Sequence, residues 1–167
     1  MRRIGITGGI GSGKSVVSRL LRIMGYSVYD TDSEAKRLME SSLEVVQKLS
    51  ECFGRDIYHN GRLNRGLLSS RVFGESDKIV LLNSIVHPVV RFDFYRWSES
   101  LNEEICFVES AILYESRFDE LVDEVWTVTA PEELRIGRVR QRSGLTEEEI
   151  KKRMAAQLSE EDRKSVV

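Results

Sequence analysis

The sequence holds few of the residues that mark secreted, metal-bound or membrane-embedded chains. Its 167 residues include two cysteines, Cys52 and Cys106, two histidines, His59 and His87, and two prolines, Pro88 and Pro131. Isolated thiols without CxxC spacing or a neighbouring histidine pair exclude a disulfide scaffold and a cysteine-based metal centre, and both are expected in the core. No apolar run approaches the ~20 residues that a bilayer-spanning helix needs, which excludes a membrane span. Charge of one sign is equally scarce. Lys plus Arg total 25 against 27 Asp plus Glu, a net charge of −2, so there is no global field to attract nucleic acid or an anionic membrane. Neither partner is expected, and any anion site must be local. The opening Met1-Arg2-Arg3-Ile4-Gly5 turns to glycines before a signal-peptide apolar region forms, so a cytoplasmic setting is expected. Oligomeric state is left open. Without repeats, low-complexity tracts or Ser/Gly linkers, 1–167 reads as one domain.

What is present is an alternation of short strands and helices. Arg2 to Thr7 is a partly β-branched run ending in glycines; Val17, Leu20, Leu21 and Met24 follow at helical spacing, with Gly25 as a C′ residue. Ser27 to Tyr29 reads as a second strand ending at Asp30-Thr31-Asp32, and a polar helix follows to about Met39. A βαβ start implies a parallel sheet and an α/β fold. From Leu43 to about Leu101 the pattern is helical throughout, with no strand signal: Val45, Val46, Leu49 and Phe53, then Ile79, Leu82 and Val86, then Val90, Phe94, Trp97 and Leu101. Pro88 suits the first turn of a new helix, so the last two runs are predicted as separate helices. Strands return at 105–108 and 125–128, making the helical block an insertion in a buried parallel sheet. Pro131 with Glu132 and Glu133 opens another helix, and Thr146-Glu147-Glu148-Glu149 is a capping box opening the next, whose Ile150, Met154 and Leu158 face is thin enough to suggest a mobile element.

Gly8-Gly9-Ile10-Gly11-Ser12-Gly13-Lys14-Ser15 fits G-x-x-x-x-G-K-[ST] between a predicted strand and a predicted helix, the context that this phosphate-binding motif requires. Glycines let backbone N–H groups curl around phosphate oxygens, Lys14 places a charge at the β and γ phosphates, and Ser15 can ligate Mg²⁺. The residues expected to hold the nucleotide are therefore Gly9, Ile10, Gly11, Ser12, Gly13, Lys14, Ser15 and Val16, and the ligand is a purine nucleoside triphosphate. A dinucleotide-type glycine loop, with Asp30 or Asp32 on a ribose, is disfavoured by Lys14-Ser15.

Asp30 and Asp32 stand at the carboxyl end of the second strand, where open α/β sheets bind ligands. Either could orient a hydroxyl or a metal-bound water, and either could simply cap the next helix; Asp32 is the better catalytic candidate. Arg138 and Arg142 share a helix face and could reach one anion if that helix closes over the nucleotide. The competing reading is a solvated basic face made with Arg135 and Arg140. His87 before Pro88, with Arg65 and Arg91 in or beside the insertion, admits a packing role or a site role.

These residues resemble the dephospho-coenzyme A kinases. Ile6 to Ser15 is similar to the family's opening, Tyr29-Asp30-Thr31-Asp32 with Ala35 to its V-x-D-x-D-x-x-A, Gly61-Arg62-Leu63-Asn64-Arg65 with Val72-Phe73 to its G-x-L-x-R and V-F pair, and Ile85-Val86-His87-Pro88-Val89-Val90-Arg91 to its I-x-H-P-x-x-R. Leu113-Tyr114-Glu115, Arg138 with Arg142, Gly144-Leu145-Thr146 and Arg153 to Gln157 follow in the family's order. The resemblance implies a three-layer P-loop fold like that of nucleoside monophosphate kinases, with a helical acceptor lobe over about 43–103 and a lid over about 131–158. It implies ATP and Mg²⁺ as cofactors and phosphorylation of the ribose 3′-hydroxyl of dephospho-CoA, the last step of coenzyme A synthesis. By position it makes Asp32 the base or hydroxyl-orienting group, able also to reach Mg²⁺ through water, Arg65, His87 and Arg91 acceptor-lobe residues, and Arg138 and Arg142 lid arginines. Val16 stands where the family usually has Thr, Glu109 and Ala111 where it has Asp and Pro, and Arg135 where Gln is common. The family's further strand, Asn-Asp-Gly-like adenine loop and closing helix are not expected within 1–167. Rival readings are another small P-loop kinase, of the shikimate, gluconate or nucleoside monophosphate type, and a nucleotide-binding module without turnover.

Overall fold

The computed structural model describes residues 1–155, 157 and 158. In chain order the elements are β1 (Arg2–Thr7), α1 (Lys14–Ile23), β2 (Ser27–Asp30), α2 (Thr31–Ser41), α3 (Leu43–Phe53), a 3₁₀ turn, β3 (Tyr58–His59), β4 (Arg62–Leu63), α4 (Arg65–Val72) and α5 (Ser76–Ser100). There follow β5 (Ile105–Glu109), a second 3₁₀ turn (Phe118–Leu121), β6 (Glu124–Thr127), α6 (Glu132–Ser143) and α7 (Glu147–Ala155). The chain divides into two compact units, one of Met1–Asp30 with Ser98 onward and one of Thr31–Trp97.

The first unit is an all-parallel sheet, as the βαβ opening predicts, with the strands in the order β2-β5-β1-β6. β1 lies inside the sheet, with Ile4 opposite Phe107 of β5 and Thr7 opposite Thr127 of β6. Ile4, Ile6, Leu21 and Phe107 form its core, joined by Val17, Val28, Ile105 and Val128. Only the Val17–Leu21 row of α1 packs there. Leu20 and Met24, expected on the same face, lie on a neighbouring row and are exposed, because a ten-residue helix against a twisted sheet buries one narrow stripe. α6 and α7 start where predicted. The capping box forms: Thr146 Oγ1 accepts from the Glu149 amide at 3.3 Å, and Glu149 Oε2 accepts from the Thr146 amide at 2.8 Å. Ile150 is fully buried, so the thin face of α7 still has an anchor.

The second unit is helical except for one feature the helical reading missed. β3 and β4 pair antiparallel through Asn60-Gly61, whose φ values of 49° and 76° are those of a two-residue hairpin turn. Asn-Gly is itself the hairpin signal; strands of two residues are too short to show an alternating pattern. Ser42 and Asn64 cap α3 and α4, accepting from the Val45 and Leu67 amides. Leu38, Val45, Leu49, Ile57, Leu68 and Phe94 are among its core residues. Cys106 is buried as expected, whereas Cys52 is exposed, lying beside the Val45–Leu49–Phe53 row rather than on it.

Pro88 does not begin a helix; it lies inside α5, which runs unbroken for 25 residues. The ring removes one intrahelical donor and crowds the Ser84 carbonyl. The helix continues because Val86, Val90 and Phe94, on one face spanning the proline, are all buried. Pro88→Ala is therefore expected to stabilise the chain by about 2 kcal/mol, the helix-interior penalty less the entropy that proline removes from the unfolded chain. Urea titration measures this, and an unchanged or lowered midpoint would mean that the proline ring is itself part of the packing.

Candidate active site

β1 feeds directly into residues 8–13, and α1 begins at Lys14 with Gly13 as its N-cap at φ 107°. A strand pointing a glycine loop at a helix start leaves first-turn amides, which lack intrahelical acceptors, facing the space beyond the sheet. The loop is braced from within by Ser12 N–H donating to the Gly9 carbonyl at 3.1 Å. Lys14 Nζ donates to the Gly8 carbonyl at 2.7 Å and the Gly9 carbonyl at 3.4 Å, so its ammonium is folded back over the loop. Ser15 and Val16 are exposed in the first turn of α1.

The outer side of the loop is covered by α6. Arg138 Nη1 donates to the Gly11 and Ser12 carbonyls at 3.3 and 3.2 Å. Arg142, one turn on, is exposed near the end of the helix. Arg135, read from sequence as part of a solvated basic face, is buried at 8% exposure, and its Nε donates to the Ile10 carbonyl at 3.0 Å. The signal was in the spacing. Arg135, Arg138, Val139 and Arg142 fall on one helical face, and Val139 is buried, whereas Arg140 points elsewhere. A further residue holds the loop from beyond α7: Gln157 Oε1 accepts from the Ile10 amide at 2.9 Å, while Glu115 Oε1 accepts from the adjoining Leu158 amide at 3.2 Å. Beside the loop, Thr129, Ala130, Pro131, Glu132 and Arg135 line an open cleft of about 480 Å³ at the carboxyl end of β6.

Asp30 ends β2 in register with Glu109 at the end of β5, so two carboxylates stand at the carboxyl edge of the sheet. Asp32 is the second residue of α2 and is exposed.

The remaining candidates belong to the second unit. Arg65 opens α4 and pairs with Glu40 at 3.2 Å. His87 and Arg91 lie one turn apart on α5. Burial pushes the His87 imidazolium below its ordinary value, and the Arg91 charge pushes it the same way. An unfolded imidazole titrates near about 6.5, so between that value and the lower folded one the folded chain binds fewer protons. The stability tied to a neutral His87 is then present above about 6.5 and lost as pH falls through the folded value. Between about pH 8 and 5, the gap in unfolding midpoint between the wild type and His87→Gln is expected to shrink on the acid side. A gap that stays constant would mean a solvated ring.

The model of the dephospho-CoA kinase family matches residues 2–167. A dephospho-CoA kinase of Porphyromonas gingivalis is 45% identical over 161 residues, covering 96% of this chain and 80% of its own. The crystal structure of TT1252 from Thermus thermophilus superposes with a TM-score of 0.83 at 37% identity over 98% of this chain and 84% of its own. A dephospho-CoA kinase structure from Campylobacter jejuni, at 24% identity and a TM-score of 0.67 over 94% of this chain and 81% of its own, shares the fold. With a glycine loop between β1 and α1, arginines bracing it from α6, and a family match over residues 2–167, the chain belongs to the dephospho-CoA kinases.

Proposed function

We infer that the protein transfers the terminal phosphoryl group of ATP to the ribose 3′-hydroxyl of dephospho-CoA, giving coenzyme A and ADP. The observation that carries this is the clasped loop: Ile10, Gly11 and Ser12 turn their carbonyls to Arg135 and Arg138. In a trans peptide the following amide points the opposite way. The Gly11 and Gly13 amides are thereby directed away from α6, preset for phosphate oxygens before a nucleotide arrives.

Phosphoryl transfer asks for positioning and charge rather than covalent chemistry from the protein. Lys14 sits on the loop itself, ready to exchange the Gly8 and Gly9 carbonyls for β and γ oxygens. Arg138 and Arg142 would meet the charge spread over the transferred group, Arg142 from its solvent-facing position. Asp32 would orient or deprotonate the attacking hydroxyl. Arg65, His87 and Arg91 would hold the acceptor, with about 43–103 as its lobe and about 131–158 as the lid.

The residues suit Mg²⁺. Among the described residues no group of three or more His, Cys, Asp or Glu could cage a metal, and Mg²⁺ is ordinarily held by one or two protein ligands together with substrate phosphates. The exposed Ser15 hydroxyl, and Asp32 through water, would supply those ligands, and the ion would supply positive charge against the phosphates. Among the described residues no helix is long and apolar enough to cross a membrane, and the soluble substrates of this reaction fit work in the cytoplasm.

The test is ADP release measured with dephospho-CoA beside shikimate, gluconate and nucleoside monophosphates, with mass spectrometry for the added phosphate. Turnover with dephospho-CoA alone is expected. Turnover with another acceptor and none with dephospho-CoA would end the assignment, and ATP binding without transfer to any of them would favour a nucleotide-binding module.

A further inference from the structure

Arg135 is buried and charged, yet no step of the proposed transfer uses it. Burying a guanidinium is costly unless it is well hydrogen-bonded, so its surroundings should say what it is for. They include the backbone of the phosphate loop. Besides the Nε contact to the Ile10 carbonyl at 3.0 Å, the guanidinium lies against Gly9, where an added Cβ would stand 2.7 Å from Cζ and overlap Nη2. The main chain of the same residue does the equivalent at Gly11, where a Cβ would come within 2.6 Å of the Arg135 carbonyl oxygen. At both glycines of the loop Arg135 occupies space a side chain would need, and at Gly11 the φ of 78° calls for glycine as well.

We propose that Arg135 is a positioning residue for the phosphate loop: its guanidinium and backbone form the outer mould against which Gly9, Ile10 and Gly11 are pressed, fixing the cradle before phosphate binds. This rests on the reading of residues 8–15 as a polyphosphate site. The Ile10 carbonyl is the lever. Held by Arg135, it leaves the Gly11 amide pointing inward. Because Arg135 lies in the first turn of α6, the mould is also the root of the lid, and the loop and that helix turn are one rigid piece.

Arg135 also lines the cleft beside β6, so a rival role is a platform for the nucleotide base. The two roles separate by ligand. Inorganic tripolyphosphate has the phosphates of ATP and no base. Calorimetric titration of the full chain, with Mg²⁺, is expected to show that Arg135→Ala weakens tripolyphosphate and ATP by the same factor, about tenfold for loss of one buried charged hydrogen bond. Loss confined to ATP would overturn the proposal in favour of the base platform, and no loss for either ligand would overturn it outright. A wild type that binds neither would instead end the phosphate-site reading on which this one rests.

A double-mutant cycle asks for more than a structural role would give. Gly9→Ala should weaken tripolyphosphate about tenfold in the wild type, because its Cβ must displace the guanidinium, and much less in the Arg135→Ala background, where that space is open. Additive losses would show that the two residues do not act through one contact and would sink the proposal. Should Arg135→Ala fail to fold, Arg135→Lys, which keeps charge and stem but has no Nε–H, carries the same expectation for both ligands.

Discussion

Asp32→Asn is expected to lower kcat by about 10²–10⁴-fold, the range over which a positioned proton acceptor contributes, while leaving ATP affinity nearly unchanged. The substitution preserves shape, removes the negative charge and turns one acceptor oxygen into an NH2 donor. Asp32 is exposed in the first turn of α2, directly after the strand end that carries Asp30, so a carboxylate there is accessible and favoured by the helix dipole. The helix-dipole share of the cost to the fold is about 0.3–1 kcal/mol, and the unfolding midpoint of the variant distinguishes a kinetic effect from a loss of folded protein. Steady-state kinetics with dephospho-CoA and calorimetry with ATP separate the two quantities. A kcat within tenfold of the wild type would remove Asp32 from the chemistry, and an equal loss of ATP affinity would move it to the nucleotide side. The pH profile distinguishes its two candidate roles. A base loses the acid limb of kcat when it becomes an amide, whereas a group acting through a metal-bound water raises the Mg²⁺ concentration needed for half-maximal rate.

What could be read from sequence followed the range of the interactions involved. The strand, glycine loop and helix of residues 2–23 are specified by neighbours within a few positions, and they form as predicted. The capping box at Thr146 is equally local, and both of its hydrogen bonds are present. Pro88 is local as well, but the local rule lost: burial of Val86, Val90 and Phe94 on one continuous face outweighs one missing donor. The environment of Arg135 is illegible locally for a deeper reason. Whether an arginine is solvated or buried depends on which carbonyls face it, and the Ile10 carbonyl lies 125 positions away in the chain. The same holds for Gln157, whose partner is the Ile10 amide. A loop motif announces which residues bind phosphate; it is silent about what holds the loop in shape.

Lys14→Met should be the most damaging single change to the nucleotide side, with kcat/KM falling by about 10³-fold or more. Methionine keeps length and apolar stem and removes the ammonium. In the structure that ammonium donates to two carbonyls of its own loop, Gly8 at 2.7 Å and Gly9 at 3.4 Å, so it is already held over the place where phosphates would lie. Exchanging neutral carbonyls for charged phosphate oxygens adds charge–charge attraction to hydrogen bonds whose donor is already charged, and the gain grows as negative charge develops on the transferring group. That difference between ground and transition state is why kcat should fall along with affinity. Lys14→Arg is not expected to rescue, because a planar fork cannot reproduce the contacts of a compact ammonium folded over the loop. Losing the two carbonyl contacts also loosens the loop by about 1 kcal/mol per hydrogen bond, so the melting temperature should drop modestly. Thermal unfolding with and without tripolyphosphate separates the effects: the variant should melt slightly lower alone and gain far less from the ligand than the wild type does. Turnover by Lys14→Met within tenfold of the wild type would mean that the charge needed at the γ phosphate comes from elsewhere, with Arg138 the first residue to examine, since it already reaches the Gly11 and Ser12 carbonyls on the other side of the same loop.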